Sequence, residues 1–206
     1  MTKKRKRTAY QKRKTRETCI TANLNLDGKG EHKIITPIGF LSHMLEAFSV
    51  HGNFDLEFHA QGDLHVDQHH LLEDSGIVLG GLFDQALGQR KGINRTGYFV
   101  FPMDEALAVV AVDISGRPFL QYEVEFTRQY LGDLDTDVLE DFFYGLSICL
   151  KANLAVRMPY GKSDHHKMEA IFKALGKSLK MAVSLNPSTA NKIPSTKGVM
   201  DNDRNN

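Results

Sequence analysis

The stretches His69-His70-Leu71-Leu72-Glu73 and His165-His166-Lys167-Met168-Glu169 share one pattern, His-His-x-x-Glu. With nine histidines in 206 residues, chance gives about 0.02 matches per chain, so two of them mark a duplication. Working outward, the same elements flank both. Each pattern leads into apolar residues at helical spacing: Leu72, Val78, Leu79, Leu82, Phe83, Ala86 and Leu87 in one case, Met168, Ile171, Phe172, Leu175, Leu179 and Val183 in the other. Each follows a polar loop, over residues 61–68 and 159–164. A short strand precedes each loop, with Phe54, Leu56 and Phe58 alternating in the first half and residues 154–158 in the second. Further back each half has a helix, marked by Phe40, Leu41, Met44, Leu45 and Phe48 and by Val138, Phe142, Phe143, Leu146 and Leu150. Strands come first: residues 20–26 and 32–35, then 98–101, 106–114 and 119–126. Residues 106–114 are apolar enough to be buried on both faces, and residues 131–137 read as an acidic loop.

This order predicts an α+β chain of two duplicated units, each a β-sheet backed by two helices. His43 and Asp141 hold matching places in the leading helices, 98 residues apart, too long a period for a solenoid. The first unit covers residues 16–92 and the second 93–186, within one compact domain, and 187–206 form a C-terminal loop and tail. Gly76, Gly80 and Gly81 interrupt the first long helix, as close helix packing would require.

Hydrophobic residues make up 41% of the chain and mean hydropathy is −0.33, the balance of a globular protein with a real core. No apolar run reaches the roughly 18 residues of a membrane span, and no signal peptide is legible, so the expected location is cytoplasmic. The two cysteines, Cys19 and Cys149, read as reduced, buried thiols, and the lack of Cys-x-x-Cys excludes a thiolate zinc site. Net charge is +1, yet nine of the first 16 residues are Lys or Arg. Residues 1–15 read as a disordered, solvated leader, the alternative being a nucleic-acid-binding arm.

If each motif opens a helix, His69 shares a face with Glu73 and His165 with Glu169. Adjacent helical residues differ by about 100°, so the members of each His pair diverge and serve different ions. Two metals result, each collecting ligands from both repeats or from neighbouring subunits. His43 is a further candidate ligand and Asp141 a weaker one. Imidazole and carboxylate donors with open positions suit Mn²⁺ or Fe²⁺ better than structural zinc. His32, His51, His59 and His65 lack such support. Arg95 and Arg117, at strand starts or turns, with Lys173, Ser195 and Lys197, imply an anionic substrate. Glu17, by pattern alone, is an exposed strand-end carboxylate.

The order and number of shorter signatures resemble the imidazoleglycerol-phosphate dehydratases, the dehydratases of histidine biosynthesis. They include Gly39-Phe40-Leu41-Ser42-His43, Gly62-Asp63-Leu64-His65, Asp67-Gln68-His69-His70, Asp104-Glu105-Ala106, Ser115-Gly116-Arg117-Pro118 and Pro194-Ser195-Thr196-Lys197-Gly198, within roughly residues 16–199. The resemblance implies a lyase that converts D-erythro-imidazole glycerol phosphate to imidazole acetol phosphate. It implies units like the second domain of ribosomal protein S5, two Mn²⁺ per active site, and homo-oligomeric trimers assembling into a 24-mer with shared active sites. Implied metal ligands are His43, His69, His70, Glu73, His165, His166 and Glu169, with Asp141 standing where many relatives have His. Arg95, Arg117, Lys173, Ser195 and Lys197 would meet the phosphate, and Glu17 would be an acid/base reaching a neighbouring subunit's site. A metal-stabilised imidazolate would act as the electron sink, with a diazafulvene-type intermediate following. Ser42 and Ser163 depart from the family's usual Asp and Asn and bear on support of the site.

Two other classes stand beside this reading. A metal-dependent hydrolase would carry His-Glu-x-x-His or Gly-x-Ser-x-Gly, and neither occurs. A nucleic-acid-binding S5-like protein would use the basic leader; no membrane or nucleic-acid partner is expected.

Overall fold

The two halves build the same sheet twice. In the computed structural model, which describes residues 6–190 and 192–200, the first half runs β1 (Thr8–Lys14), β2 (Thr18–Asn25), β3 (His32–Ile35), α1 (Gly39–Gly52), β4 (Asp55–Gly62) and α2 (His69–Leu87). The second runs β5 (Thr96–Met103), β6 (Ala106–Asp113), β7 (Phe119–Glu123), a small hairpin of β8 (Tyr130–Leu131) and β9 (Leu134–Asp135), α3 (Leu139–Leu150), β10 (Asn153–Tyr160) and α4 (Asp164–Val183). Sheet orders are β1-β2-β4-β3 and β5-β6-β10-β7. In both, the first three neighbours pair antiparallel, and a helical crossover makes the last pair parallel.

Register dates the duplication residue by residue. Thr8 pairs with Asn25 and Thr96 with Asp113, an offset of 88 residues, whereas Leu24 pairs with Leu56 and Val112 with Leu154, which moves the later strand by 98. The added residues lie between β7 and α3 and form the β8–β9 hairpin, so the stretch read as an acidic loop is an insertion with strands of its own. Helix ends repeat too. Asn53 and Lys151 both end their helices in the left-handed conformation, and the buried Ser49 and Ser147 hydroxyls donate to Phe54 and Ala152 carbonyls.

Two expectations fail. Residues 8–14 are not a disordered leader but edge strand β1, paired along its length with β2; residues 1–5 lie outside the described residues. Two arginines of the basic segment are used internally, whereas Lys12 and Lys14 are exposed. Arg7 is buried, clamps Asp27 and donates to the Val183 carbonyl, and Arg13 donates to the buried Asp74 at 2.7 Å. Strand β6 alternates buried and half-buried residues, because helices cover only one face of its sheet. Cys19 and Cys149 are free, but half-buried rather than buried as their apolar neighbours in sequence suggested. No helix among the described residues is long and apolar enough to cross a membrane.

Each repeat's helices back its own sheet and pair with the other repeat's helices, α1 with α4 and α2 with α3, around one hydrophobic core. Glycine sets the spacing. A Cβ on Gly80 would stand 2.6 Å from the Leu146 carbonyl oxygen, and one on Gly176 would stand 2.6 Å from that of Phe48. These are equivalent positions in the two repeats. Gly80→Ala and Gly176→Ala should each lower stability by about 1–3 kcal/mol despite the better helix propensity of alanine, as read by thermal unfolding. A neutral or stabilising result would mean the backbones are not in contact.

Candidate active site

The pairing of α1 with α4 brings three donors together. His43 lies in the second turn of α1, and His165 and Glu169 in the first turns of α4; one donor atom of each lies within 4.8 Å of the others. Phe40 packs edge-on against the His165 ring at 5.1 Å. Burial alone would push the Glu169 carboxyl up, but Lys173, 2.8 Å away, with His43 and His165 beside it, lowers the pKa on balance. Two imidazoles and a half-buried, ionised carboxylate at this spacing fit a divalent cation held by nitrogen and oxygen.

The equivalent place between α2 and α3 holds His69, Glu73 and Asp141. Here His69 Nδ1 and Asp141 Oδ2 are 2.9 Å apart. The three do not draw together as their counterparts do: among the described residues, the groups with donors inside 4.8 Å are His43–His165–Glu169 and Asp104–Glu105–His166.

His70 and His166 turn away from these half-sites, their rings 74° and 89° from those of His69 and His165. Each has its Nδ1 on a carboxylate. His70 faces Asp63 at 3.2 and 3.3 Å, and His166 faces Glu105 at 2.8 Å; these hydrogen bonds raise the pKa of both rings. Exposed Glu17 approaches the other side of His70, 3.8 Å from Nε2.

The anion-binding candidates form a separate group. Arg95 is held at positive φ (72°), clamps Asp113 bidentately at 2.6 and 2.9 Å, and donates to the Pro194 carbonyl. It thereby meets the loop of Ser195 and Lys197, in which the Lys197 amide donates to the Ser195 hydroxyl. Arg117 occupies the turn after β6, and at the start of that turn the Ile114 amide bonds the Arg95 carbonyl. The Arg95 amide bonds the Ala182 carbonyl at the far end of α4, about 20 Å along the helix from Glu169 at 1.5 Å per residue. Lys173 alone stands with the His43 half-site. One chain therefore splits the predicted set between its two ends.

Residues 36–179 match the sequence profile of the imidazoleglycerol-phosphate dehydratases. The chain belongs to that family. It is 53% identical over 194 residues to the imidazoleglycerol-phosphate dehydratase of Lacticaseibacillus casei BL23, covering 94% of this chain and 100% of the relative. Identity to the Roseiflexus sp. RS-1 dehydratase is 50%, covering 94% and 98%. The crystal structure of the Staphylococcus aureus dehydratase is similar with a TM-score of 0.78 at 35% identity, covering 87% of this chain and 99% of that one. That of the Pyrococcus furiosus dehydratase, in complex with (S)-C348, has a TM-score of 0.77 at 34% identity, covering 92% and 99%. Membership of the dehydratase family makes the chain an enzyme of histidine biosynthesis that acts on a small phosphorylated imidazole. It sets aside the hydrolase and nucleic-acid readings.

The chain also carries supports for the site that motif reading missed. Helix α1 has no side-chain cap at Ile38; instead Asp133, from the inserted hairpin, accepts the Gly39 and Phe40 amides at 2.5 and 2.9 Å. Gln68, just before α2, binds the Asp133 carbonyl and the Asp135 amide. Asp164, buried at the start of α4, accepts the Thr127 hydroxyl, the Thr127 and Arg128 amides and the Lys167 ammonium at 2.8 Å. Residues 127–135 thus tie down the N-termini that carry His43, His69 and His165. The sequence signal was the acidic loop itself, whose carboxylates had no assigned partner.

Burial would push the Asp164 carboxyl up, yet Lys167 and the three hydrogen bonds from Thr127 and Arg128 hold it down at about 2. A depressed carboxylate stabilises the fold fully above its unfolded value of 3.8 and loses that contribution as pH falls through about 2. Asp164→Asn should be less stable by about 3 kcal/mol at neutral pH, since Lys167 loses its buried partner. The gap from wild type should narrow between pH 4 and 2. A gap that does not change with pH, followed by thermal unfolding, would contradict the ion-pair account.

Proposed function

We propose that the chain binds two Mn²⁺ ions per active site and dehydrates D-erythro-imidazole glycerol phosphate to imidazole acetol phosphate at sites shared between subunits. The convergence of His43, His165 and Glu169 across the repeats carries this reading: its donors are imidazole and carboxylate, with no thiolate. By the internal repeat, His69, Glu73 and Asp141 hold the second ion. His70 and His166 face outward and reach ions held by neighbouring copies. Sharing is supported by the roughly 20 Å along α4 between Glu169 and the Arg95 group, since a phosphorylated three-carbon chain is far shorter. Exposed Tyr98, Val100 and Phe119 on the outer strands of the second sheet offer apolar area for trimers that assemble into a 24-mer.

When bound, the ions would ease loss of the substrate's ring N–H proton, so that the ring can expel a leaving group and then accept the electron pair of a C–H bond that no carbonyl acidifies. The deprotonated ring expels hydroxide from the ring-bound carbon to give a diazafulvene-type intermediate of the substrate. Glu17 then takes the proton from the adjacent hydroxyl-bearing carbon, the electron pair restores the aromatic ring, and the resulting enol tautomerises to the ketone. Arg95, Arg117, Ser195 and Lys197 hold the phosphate, with Lys173 closing from the metal side, which fixes the chain for this geometry. Free thiols at Cys19 and Cys149 suit a cytoplasmic enzyme.

Turnover of imidazole glycerol phosphate should stop on chelation and return with Mn²⁺; no turnover in the metal-loaded protein would sink the reading. His70→Ala and His166→Ala should each lower manganese content, and full occupancy in both would refute the ligand set. Lys197→Ala should raise KM several-fold with metal content intact, and an unchanged KM would remove Lys197 from the phosphate clamp.

A further inference from the structure

Glu17 has a twin. The 88-residue offset that relates β1–β2 to β5–β6 carries Glu17 onto Glu105, and both occupy the second position of a two-residue turn. The Thr15 amide closes one turn on the Thr18 carbonyl, and Met103 pairs with Ala106 across the other, with Asp104 at positive φ (47°). Each glutamate stands beside the second histidine of its motif, His70 or His166, which are themselves equivalent.

The twins sit on opposite sides of their imidazoles. Glu17 is exposed and lies 3.8 Å from Nε2 of His70, whose Nδ1 is occupied by Asp63. Glu105 lies on Nδ1 of His166 at 2.8 Å, and its other oxygen accepts the amide of Ser163, the N-cap of α4, at 2.7 Å. Both Glu105 oxygens therefore have fixed partners, one in the histidine ring and one in the helix that bears it. A carboxylate on Nδ1 fixes the tautomer with Nε2 unprotonated and sets the ring plane. Proton exchange at either Glu105 oxygen would compete with the His166 ring or with the Ser163 amide. In the first half, Asp63 takes over this task through its position at the end of β4, where its amide bonds the Glu17 carbonyl. Glu17 is left on the Nε2 side.

We infer that Glu105 is a positioning residue: it locks His166 with Nε2 presented to a metal ion, the duty that Asp63 performs for His70, while Glu17 alone of the duplicated pair works on the substrate. The inference rests on the reading of His166 as a metal ligand.

Competition between a fluorescent chelator and the purified enzyme for Mn²⁺ tests it, with His166→Ala in parallel. Glu105→Gln keeps an acceptor for the Ser163 amide but removes the charge from His166, and should weaken Mn²⁺ binding about 10- to 100-fold. Glu105→Asp, which keeps the charge but withdraws it from the ring, should show the same loss and serves if the first variant fails to fold. Raising Mn²⁺ should restore most of the turnover of Glu105→Gln with little change in KM, whereas Glu17→Gln should stay slow at any Mn²⁺ concentration. If either Glu105 variant binds Mn²⁺ within twofold of wild type while His166→Ala loses it, the role of Glu105 is refuted and the site reading stands. If His166→Ala itself binds normally, both fall.

Discussion

Backbone-to-backbone contact between helices of different repeats is the constraint on which the molecule depends. Gly80 against α3 and Gly176 against α1 leave no room for even one methyl group. That intimacy fixes how far along each other the helices slide, and the donor residues sit in their first turns. A slip of one helical turn, about 5.4 Å, would exceed the distance between His43 and its partners on α4. Close-packed interiors do not deform gradually, so the pairing holds the donors in register or loses them.

The inserted hairpin does the complementary work at the helix ends. Asp133 caps α1, Gln68 ties α2 to the same segment, and Thr127 and Arg128 meet Asp164 on α4. Carboxylates at helix N-termini also complement the dipoles there. Only one repeat carries the insertion, yet it serves helices of both. The two half-sites are consequently inequivalent, in their supports and in the exchange of His43 for Asp141.

Much of this was legible before any coordinates. The doubled His-His-x-x-Glu, apolar periodicity and breaking residues located all four helices and most strands, because burial of one face leaves a period that composition cannot hide. Strand β1 was hidden because Arg7 and Arg13 look like solvated charge; their partners Asp27 and Asp74 are distant in sequence. The single period near 98 was correct for helices and wrong for the early strands, since an insertion shifts the phase without weakening either signal. Glu105 stood in a quoted signature, but its pairing with Glu17 appears only once strand register supplies the offset of 88. The gap along α4 between the Arg95 group and the candidate donors His165 and Glu169 is a property of helix length and direction, which no local pattern states.

The exchange of helices between repeats also sets the order in which the protein can come to exist. His43 meets His165 and Glu169 across about 120 intervening residues, so that contact cannot form while the second half is still on the ribosome. A nascent first half holds three of the candidate histidines without the helix that completes the first half-site. That half-site is thereby complete only once α4 has been made, and a product truncated before it lacks the assembled donors as well as the fold.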